Sequence, residues 1–169
     1  ASLLASRARV PFAVAQAGFN QLSSHDTPRL ASVLGGDRTR LRLAVALLMT
    51  WPGVPCVYYG DEVGMAGGAD PENRHGMIWD QAVWDRELWQ WYQTLIKRRR
   101  QDRVLAAGGV VVLHAQGDLF VFARVLGDEC RVVALHRGRT TTTVELDLTP
   151  LAPEATGVRD QLARGSCAV

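Results

Sequence analysis

Three stretches in series constrain this chain more than anything else in it. They are an apolar run over residues 17–22, a helix-compatible segment from Arg38 to Thr50, and a second apolar run from Val54 to Tyr59. Strand, helix, strand in that order is a βαβ unit. Its strands should be parallel and its crossover right-handed, because only that hand packs the helix back onto a twisted sheet. Both runs end in polar groups. The first opens into Ser23-Ser24-His25-Asp26-Thr27 and the second into Gly60-Asp61-Glu62. Carboxylates just beyond the C-terminal ends of parallel strands occupy the place where β/α barrels keep their catalytic residues.

The flanking punctuation supports the three elements. Gly35-Gly36 closes the loop after the first strand, Asp37 is placed to cap the helix, and Pro52-Gly53 stops it. Leu41, Ala44, Val45 and Leu48 recur on one helical face, and Leu43, Leu47 and Met49 widen it, so this helix should be largely buried. Ahead of the unit, residues 1–18 read as a helical remnant that Pro11 breaks. The chain starts Ala1-Ser2 without an initiator Met, which suggests an N-terminus that is not the natural one.

Residues 60–80 read as one long loop rich in Gly, Asp, Pro and Asn, anchored by Met77, Ile78 and Trp79. A loop of that length between packed elements is usually functional. An amphipathic helix follows over roughly 85–103, with Leu88, Trp91, Tyr92, Leu95 and Ile96 on one face. Beyond it the period changes to two. Residues 110–114, 119–126, 131–136 and 141–148 read as strands separated by Gln116-Gly117-Asp118, Gly127-Asp128-Glu129 and Arg137-Gly138, which are hairpin-type turns. From 150 to 169 the pattern weakens. The expected division is therefore 1–103 for the α/β part and 104–169 for an incomplete antiparallel, sandwich-like β-domain.

Charge and cysteine content narrow the function classes. Nineteen Lys and Arg against seventeen Asp and Glu leave a net charge of +2, which favours neither nucleic acid nor an anionic membrane as partner. Lys97-Arg98-Arg99-Arg100 lies at a helix C-terminus, where cations suit the macrodipole. Cys56, Cys130 and Cys167 are odd in number and widely spaced, which argues against a zinc site or a disulfide framework and for a reducing cytoplasm. No run approaches the roughly 18 apolar residues that would span a bilayer.

His25-Asp26 is the first chemical constellation. A carboxylate there can stabilise an oxocarbenium-like transition state, as glycoside hydrolysis requires, and the imidazole can bind sugar hydroxyls. A loop-capping Asp beside a satisfied His is the structural alternative. Ser24 with His25 as a hydrolase pair is disfavoured, because sequence neighbours rarely meet in triad geometry and no G-x-S-x-G elbow is present.

Residues Phe19 to Thr27 resemble a conserved region of the alpha-amylase family, in which a His-Asp pair follows barrel strand seven. Pro52 to Met65 is similar to that family's strand-eight signature. Asp70-Pro71-Glu72-Asn73-Arg74 followed by Met77-Ile78-Trp79 resembles the loop of its neopullulanase, cyclomaltodextrinase and maltodextrin glucosidase branch. The resemblance implies a fold and a set of roles. The fold is α/β: the C-terminal part of a (β/α)8 TIM barrel, strands seven and eight, followed by a small antiparallel β-domain. Asp26 matches the transition-state-stabilising carboxylate, and His25 the histidine on the sugar at the cleaved bond. Asp70 and Arg74 match a pair that binds glucose units further along; a loop-internal salt bridge is compatible with that role. Asp61 and Glu62 read as strand-end scaffold, and Trp79 as a packing anchor rather than a sugar platform.

The implied activity is retaining hydrolysis of α-1,4-glucosidic bonds in maltodextrins or related α-glucans. No cofactor and no metal site are implied, and a homodimeric parent is compatible. The nucleophile and the acid/base would lie upstream of Ala1, so the chain itself is expected to be inactive. Two other classes stand beside this one: an amylase-like transporter-accessory chain without catalysis, and a carbohydrate-binding piece in its own right.

Overall fold

The computed structural model describes residue 5, residues 9–162 and the backbone of residues 166–168. Of the expected N-terminal helical remnant, residues 1–4 and 6–8 lie outside the described residues. Helix α1 (Phe12–Ala17) starts directly after Pro11, so the proline marks a helix start rather than a break. The Gln16 side chain donates to the Ala107 carbonyl at 2.8 Å and so reaches the far end of the α/β part.

Strand β1 (Phe19–Gln21) pairs in parallel with β2 (Val54–Cys56), Phe19 opposite Val54 and Gln21 opposite Cys56. Between them lie α2 (Leu30–Val33) and α3 (Arg38–Thr50). The parallel pairing is as expected; the burial and the length are not. Each strand keeps three residues of the six anticipated, and Phe19 is 78% exposed. A parallel strand is buried by neighbours on both edges and helices on its faces, and each of these strands has one neighbour among the described residues. Gly53 fits tightly at the entry to β2. Its φ is +115°, and a Cβ there would stand 2.5 Å from the Asn20 side-chain nitrogen, which donates to the Pro52 carbonyl.

The core forms between α3 and α4 (Arg86–Gln101). Leu41, Val45, Leu48 and Met49 meet Leu88, Tyr92 and Leu95. Both helices carry aspartate caps: Asp37 accepts from Arg40 N–H, and Asp85 from Leu88 N–H, each at 3.0 Å. Asp85 also holds Arg38 of α3 at 3.0 Å. The basic run does fall in the last turn of α4. One member has a second task. Arg99 is buried and donates to the Met49 and Trp51 carbonyls, which α3 leaves open at its C-terminal end, and to the Gly53 carbonyl just beyond it.

The helix expected to reach 103 breaks at Asp102, whose carboxylate caps α5 (Arg103–Ala107) and binds Arg131 at 2.7 Å. Strands β3 (Gly109–Gln116), β4 (Leu119–Leu126) and β5 (Glu129–His136) form an antiparallel sheet with β4 in the centre. Its two turns, Gly117-Asp118 and Gly127-Asp128, put glycine at φ +58°, the geometry of a two-residue hairpin with Gly first. Phe122 of β4 is buried and meets Trp51 edge-on at 5.1 Å.

Three expectations need correction. Residues 141–148 do not form a fourth strand: half-buried Val144, Leu146 and Leu148 still alternate with exposed Glu145 and Asp147, but no ladder forms there. Instead β6 (Gly157–Arg159) and β7 (Ser166–Ala168) pair in a stretch that carried no strand signal. Trp79 is no packing anchor, being 78% exposed, and Ile78 is exposed too. The loop is tied down by Trp84, whose indole N–H donates to the Ile78 carbonyl at 2.8 Å and whose ring packs on Trp89. Among the described residues no helix is long and apolar enough to cross a membrane.

Candidate active site

Beyond β1 the chain turns sharply on short hydroxyl side chains. Ser23 is buried and its Oγ accepts from Leu30 N–H at 3.0 Å. Ser24 N–H donates to Thr27 Oγ1, and Asp26 N–H donates to Ser24 Oγ, both at 3.1 Å. These local bonds are the Asx- and Ser/Thr-type competition with regular structure that favours loops. They also occupy the Ser24 hydroxyl, which speaks against a nucleophilic role for it. The loop buries Ser23 and Ser24 and turns His25 and Asp26 outward, with His25 Nε2 3.2 Å from Asp26 Oδ2.

The chain after β2 closes over the same end. Tyr58 and Tyr59 are followed by a 3-10 turn, Asp61–Val63, and further on by a second, Glu72–Arg74, preceded by a cis Asp70–Pro71 bond. Close approach is built in at Gly67, where a Cβ would stand 2.5 Å from the Glu72 carbonyl oxygen. Arg29 N–H donates to the Gly67 carbonyl at 2.9 Å, joining this loop to the first.

All four expected site residues are brought together by Arg74. Its Nη2 lies 3.3 Å from Asp70 Oδ2 and 3.8 Å from Asp26 Oδ1, and its Nε donates to the His25 carbonyl at 3.0 Å. The His-Asp loop and the Asp70–Arg74 loop therefore sit at one end of the two strands. The side chains of Asp26, Asp70 and Arg74 remain largely open to solvent. That leaves their hydrogen-bonding edges available to a polyhydroxyl ligand, for which carboxylate and guanidinium pairs are suited.

Two residues that sequence reasoning missed hold the arrangement from beneath. Arg29 is fully buried. Its Nη1 donates to the Tyr59 carbonyl at 2.7 Å and to Asp61 Oδ1 at 3.1 Å. Its guanidinium carbon lies 4.6 Å from the Tyr58 ring centre and 4.8 Å from that of Tyr59. The ring faces partly replace acceptors for its Nε and Nη2, which have no hydrogen-bond partner. Asp61 is therefore scaffold, as expected. Burial pushes its carboxyl above the usual range, and hydrogen bonding from Ser23 and the charge of Arg29 oppose that only in part. Asn73 is the second: 1% exposed, it donates through Nδ2 to the carbonyls of His25 and Thr27 at 2.8 and 3.1 Å. Each had a faint signal. Arg29 is the cation directly after His25-Asp26-Thr27-Pro28, and Asn73 lies inside Asp70–Arg74.

Among the described residues no three His, Cys, Asp or Glu side chains gather to hold a metal ion.

Residues 7–104 match the family model described as the alpha amylase catalytic domain. The chain is 39% identical over 140 residues to a cyclomaltodextrinase of Geobacillus thermopakistaniensis, covering 82% of this chain and 24% of that one. It is 40% identical over 147 residues to neopullulanase 2 of Thermoactinomyces vulgaris, covering 85% and 25%. Its backbone superposes on a debranching enzyme of Nostoc punctiforme, soaked with acarbose, with a TM-score of 0.81 and 36% identity, over 88% of this chain and 30% of that one. The chain thus spans about a quarter of the length of the curated relatives it matches.

Proposed function

This chain belongs to the alpha-amylase family of glycosidases, and from that premise we propose that it forms part of a retaining enzyme cleaving α-1,4-glucosidic bonds of maltodextrin-type α-glucans. On this reading β1 and β2 are barrel strands seven and eight, and the sheets beyond residue 104 belong to the domain that follows the barrel. Asp26 is the transition-state-stabilising carboxylate, His25 binds hydroxyls of the sugar at the cleaved bond, and Asp70 with Arg74 holds glucose units further along. The nucleophile and the acid/base come from outside these residues. The free thiols of Cys56 and Cys130 fit a reducing compartment, the cytoplasm.

One observation carries the reading. Arg74 bridges Asp70 and Asp26 while binding the His25 backbone, so two loops from two strands present one continuous polar surface.

The chemistry follows from charge. When the glycosidic oxygen departs with a proton from the acid, the ring it leaves is oxocarbenium-like. Positive charge is shared between the anomeric carbon and the ring oxygen. A fixed carboxylate beside that ring interacts more strongly as the charge grows, which lowers the barrier and not merely the binding energy. In this chain Asp26 is open to water, which weakens any such interaction; a bound glucan would exclude that water and strengthen it.

The test uses the whole enzyme and a maltodextrin. Asp26→Asn should lower kcat by about 10²–10³, the worth of one oriented group in a water-poor cleft, with a smaller change in KM. His25→Ala should cost less in kcat and more in KM. Near-normal kcat in Asp26→Asn, or clear turnover by residues 1–169 alone, would exclude this assignment, whereas no turnover by the whole protein on any α-glucan would favour a binding or accessory role.

A further inference from the structure

We infer that Asn73 is a positioning residue, which registers the His25-Asp26 loop against the Asp70/Arg74 turn so that a sugar held by that turn sets the attitude of the catalytic loop. The inference rests on the proposed roles of Asp26 and Arg74 and adds a residue to which neither sequence motif nor family likeness assigns a task.

The bonding pattern is one-sided. The Asn73 Nδ2 approaches three carbonyls of a single loop, those of His25 at 2.8 Å, Thr27 at 3.1 Å and Ser24 at 3.4 Å. These carbonyls flank Asp26 on both sides in sequence. The other end of the carboxamide, Oδ1, is buried with no hydrogen-bond partner. A group kept for stability alone would satisfy both ends or be replaced by an apolar one, because a buried unsatisfied acceptor costs free energy. What the arrangement provides is directional: two amide hydrogens gather the peptide oxygens around the catalytic carboxylate.

The turn that carries Asn73 is itself held from the β2 side. Tyr58 Oη donates to the Asn73 carbonyl at 3.3 Å, and Tyr59 Oη donates to the His25-facing turn's next residue, His75, through its carbonyl at 2.7 Å. Arg74, the next residue, places its Nε on the same His25 carbonyl that Asn73 engages. That oxygen therefore has one donor facing the open cleft and one buried donor. When a sugar draws the Arg74 guanidinium onto its hydroxyls, the buried donor keeps the loop in register with the turn. Without it, glucose bound at Asp70/Arg74 would still be held but would leave Asp26 unaligned.

The experiment uses the whole enzyme with maltotriose and maltoheptaose as short and long substrates. Asn73→Asp keeps the shape of the side chain and replaces its donors with acceptors; Asn73→Ser keeps a small volume and one donor. For Asn73→Asp the expected result is a loss of kcat of roughly tenfold or more on both substrates, the scale of a modest misplacement of a catalytic group. KM should move far less. Any kcat advantage that wild type shows for the longer substrate should disappear, while a cooperative thermal transition remains and Asn73→Ser recovers part of the loss. Wild-type kcat and length dependence in Asn73→Asp would overturn the inference. So would loss of cooperative unfolding in both variants, which would assign Asn73 to stability alone. Asp26→Asn run in parallel separates the two layers: if it retains wild-type kcat, the underlying site reading fails, whereas a crippled Asp26→Asn beside a normal Asn73→Asp condemns only the role of Asn73.

Discussion

The two-stranded parallel sheet and the loop cluster at its C-terminal end differ in what holds them. In the sheet, β1 and β2 each have one paired edge among the described residues, and Phe19 projects into solvent. In the loop cluster, buried Arg29 through Nη1 and Asn73 through Nδ2 donate to carbonyls and a carboxylate of neighbouring segments. Among the described residues the sheet is held by a single strand pairing, while the loops are held by bonds of their own. The polar end of a βαβ unit can thus be shaped by side chain–backbone bonds even where the strands beneath it are poorly covered. That is a useful division for an active site, since geometry at the chemistry depends on bonds within a few residues of it.

Removing the buried cation should have the largest effect on the loop cluster. Arg29→Met takes away the charge paired with the buried carboxylate of Asp61 and should destabilise by about 3–5 kcal/mol, as breaking one side of a buried ion pair does. Urea unfolding monitored by tryptophan fluorescence reads it. A loss no larger than that of a surface substitution would mean that the loops do not depend on this bond.

A smaller effect sharpens the same point through pH. Burial raises the folded carboxyl of Asp61 above its value in the unfolded chain. The folded state therefore holds its proton more tightly, and the stability this group contributes is present at acid pH and is lost as pH rises through the folded value. The stability of wild type relative to Asp61→Asn should accordingly fall as pH rises from about 4 through that range, then level off above it. A gain in the stability of wild type relative to the variant as pH rises would reverse the assigned sign.

The sheet should respond in the opposite manner. Phe19→Lys changes an exposed residue and should alter stability by no more than about 0.5 kcal/mol. It should, however, reduce self-association of the isolated chain, because a lysine on an unpaired edge discourages further strand addition. Light scattering against concentration checks this. Trp79→Ala, also on an exposed side chain, should be nearly neutral in stability by the same argument.

What was legible in the sequence follows the same line. Asp37 as a cap, Pro52-Gly53 as a stop, the hairpin glycines and the core face of α4 are local decisions, fixed by propensity and period within a few residues. His25-Asp26 and Asp70/Arg74 could be singled out as candidates because they form compact motifs, though the sequence does not say that Arg74 lies between the two aspartates. Arg29, Asn73, Arg99 and Arg124 were hidden for one reason. Their partners are, apart from the Asp61 carboxylate on Arg29, carbonyls brought near by tertiary packing, with Arg124 reaching back to Thr50, and a carbonyl carries no residue-type signal. Residues 141–148 failed in the other direction: the alternation is real, but a strand also needs a partner, and pattern alone cannot provide one.

Native-state hydrogen exchange on the isolated chain tests the contrast between loops and sheet most directly. The amides of Arg29, Leu30 and Gly67, bonded to the Gly67 carbonyl, Ser23 Oγ and Ser32 Oγ, should exchange slowly. That of Val54, bonded to the Gly18 carbonyl at the open sheet, should exchange faster. Slow exchange at Val54 with fast exchange at Arg29 and Leu30 would contradict the claim that the site is held by its own loops.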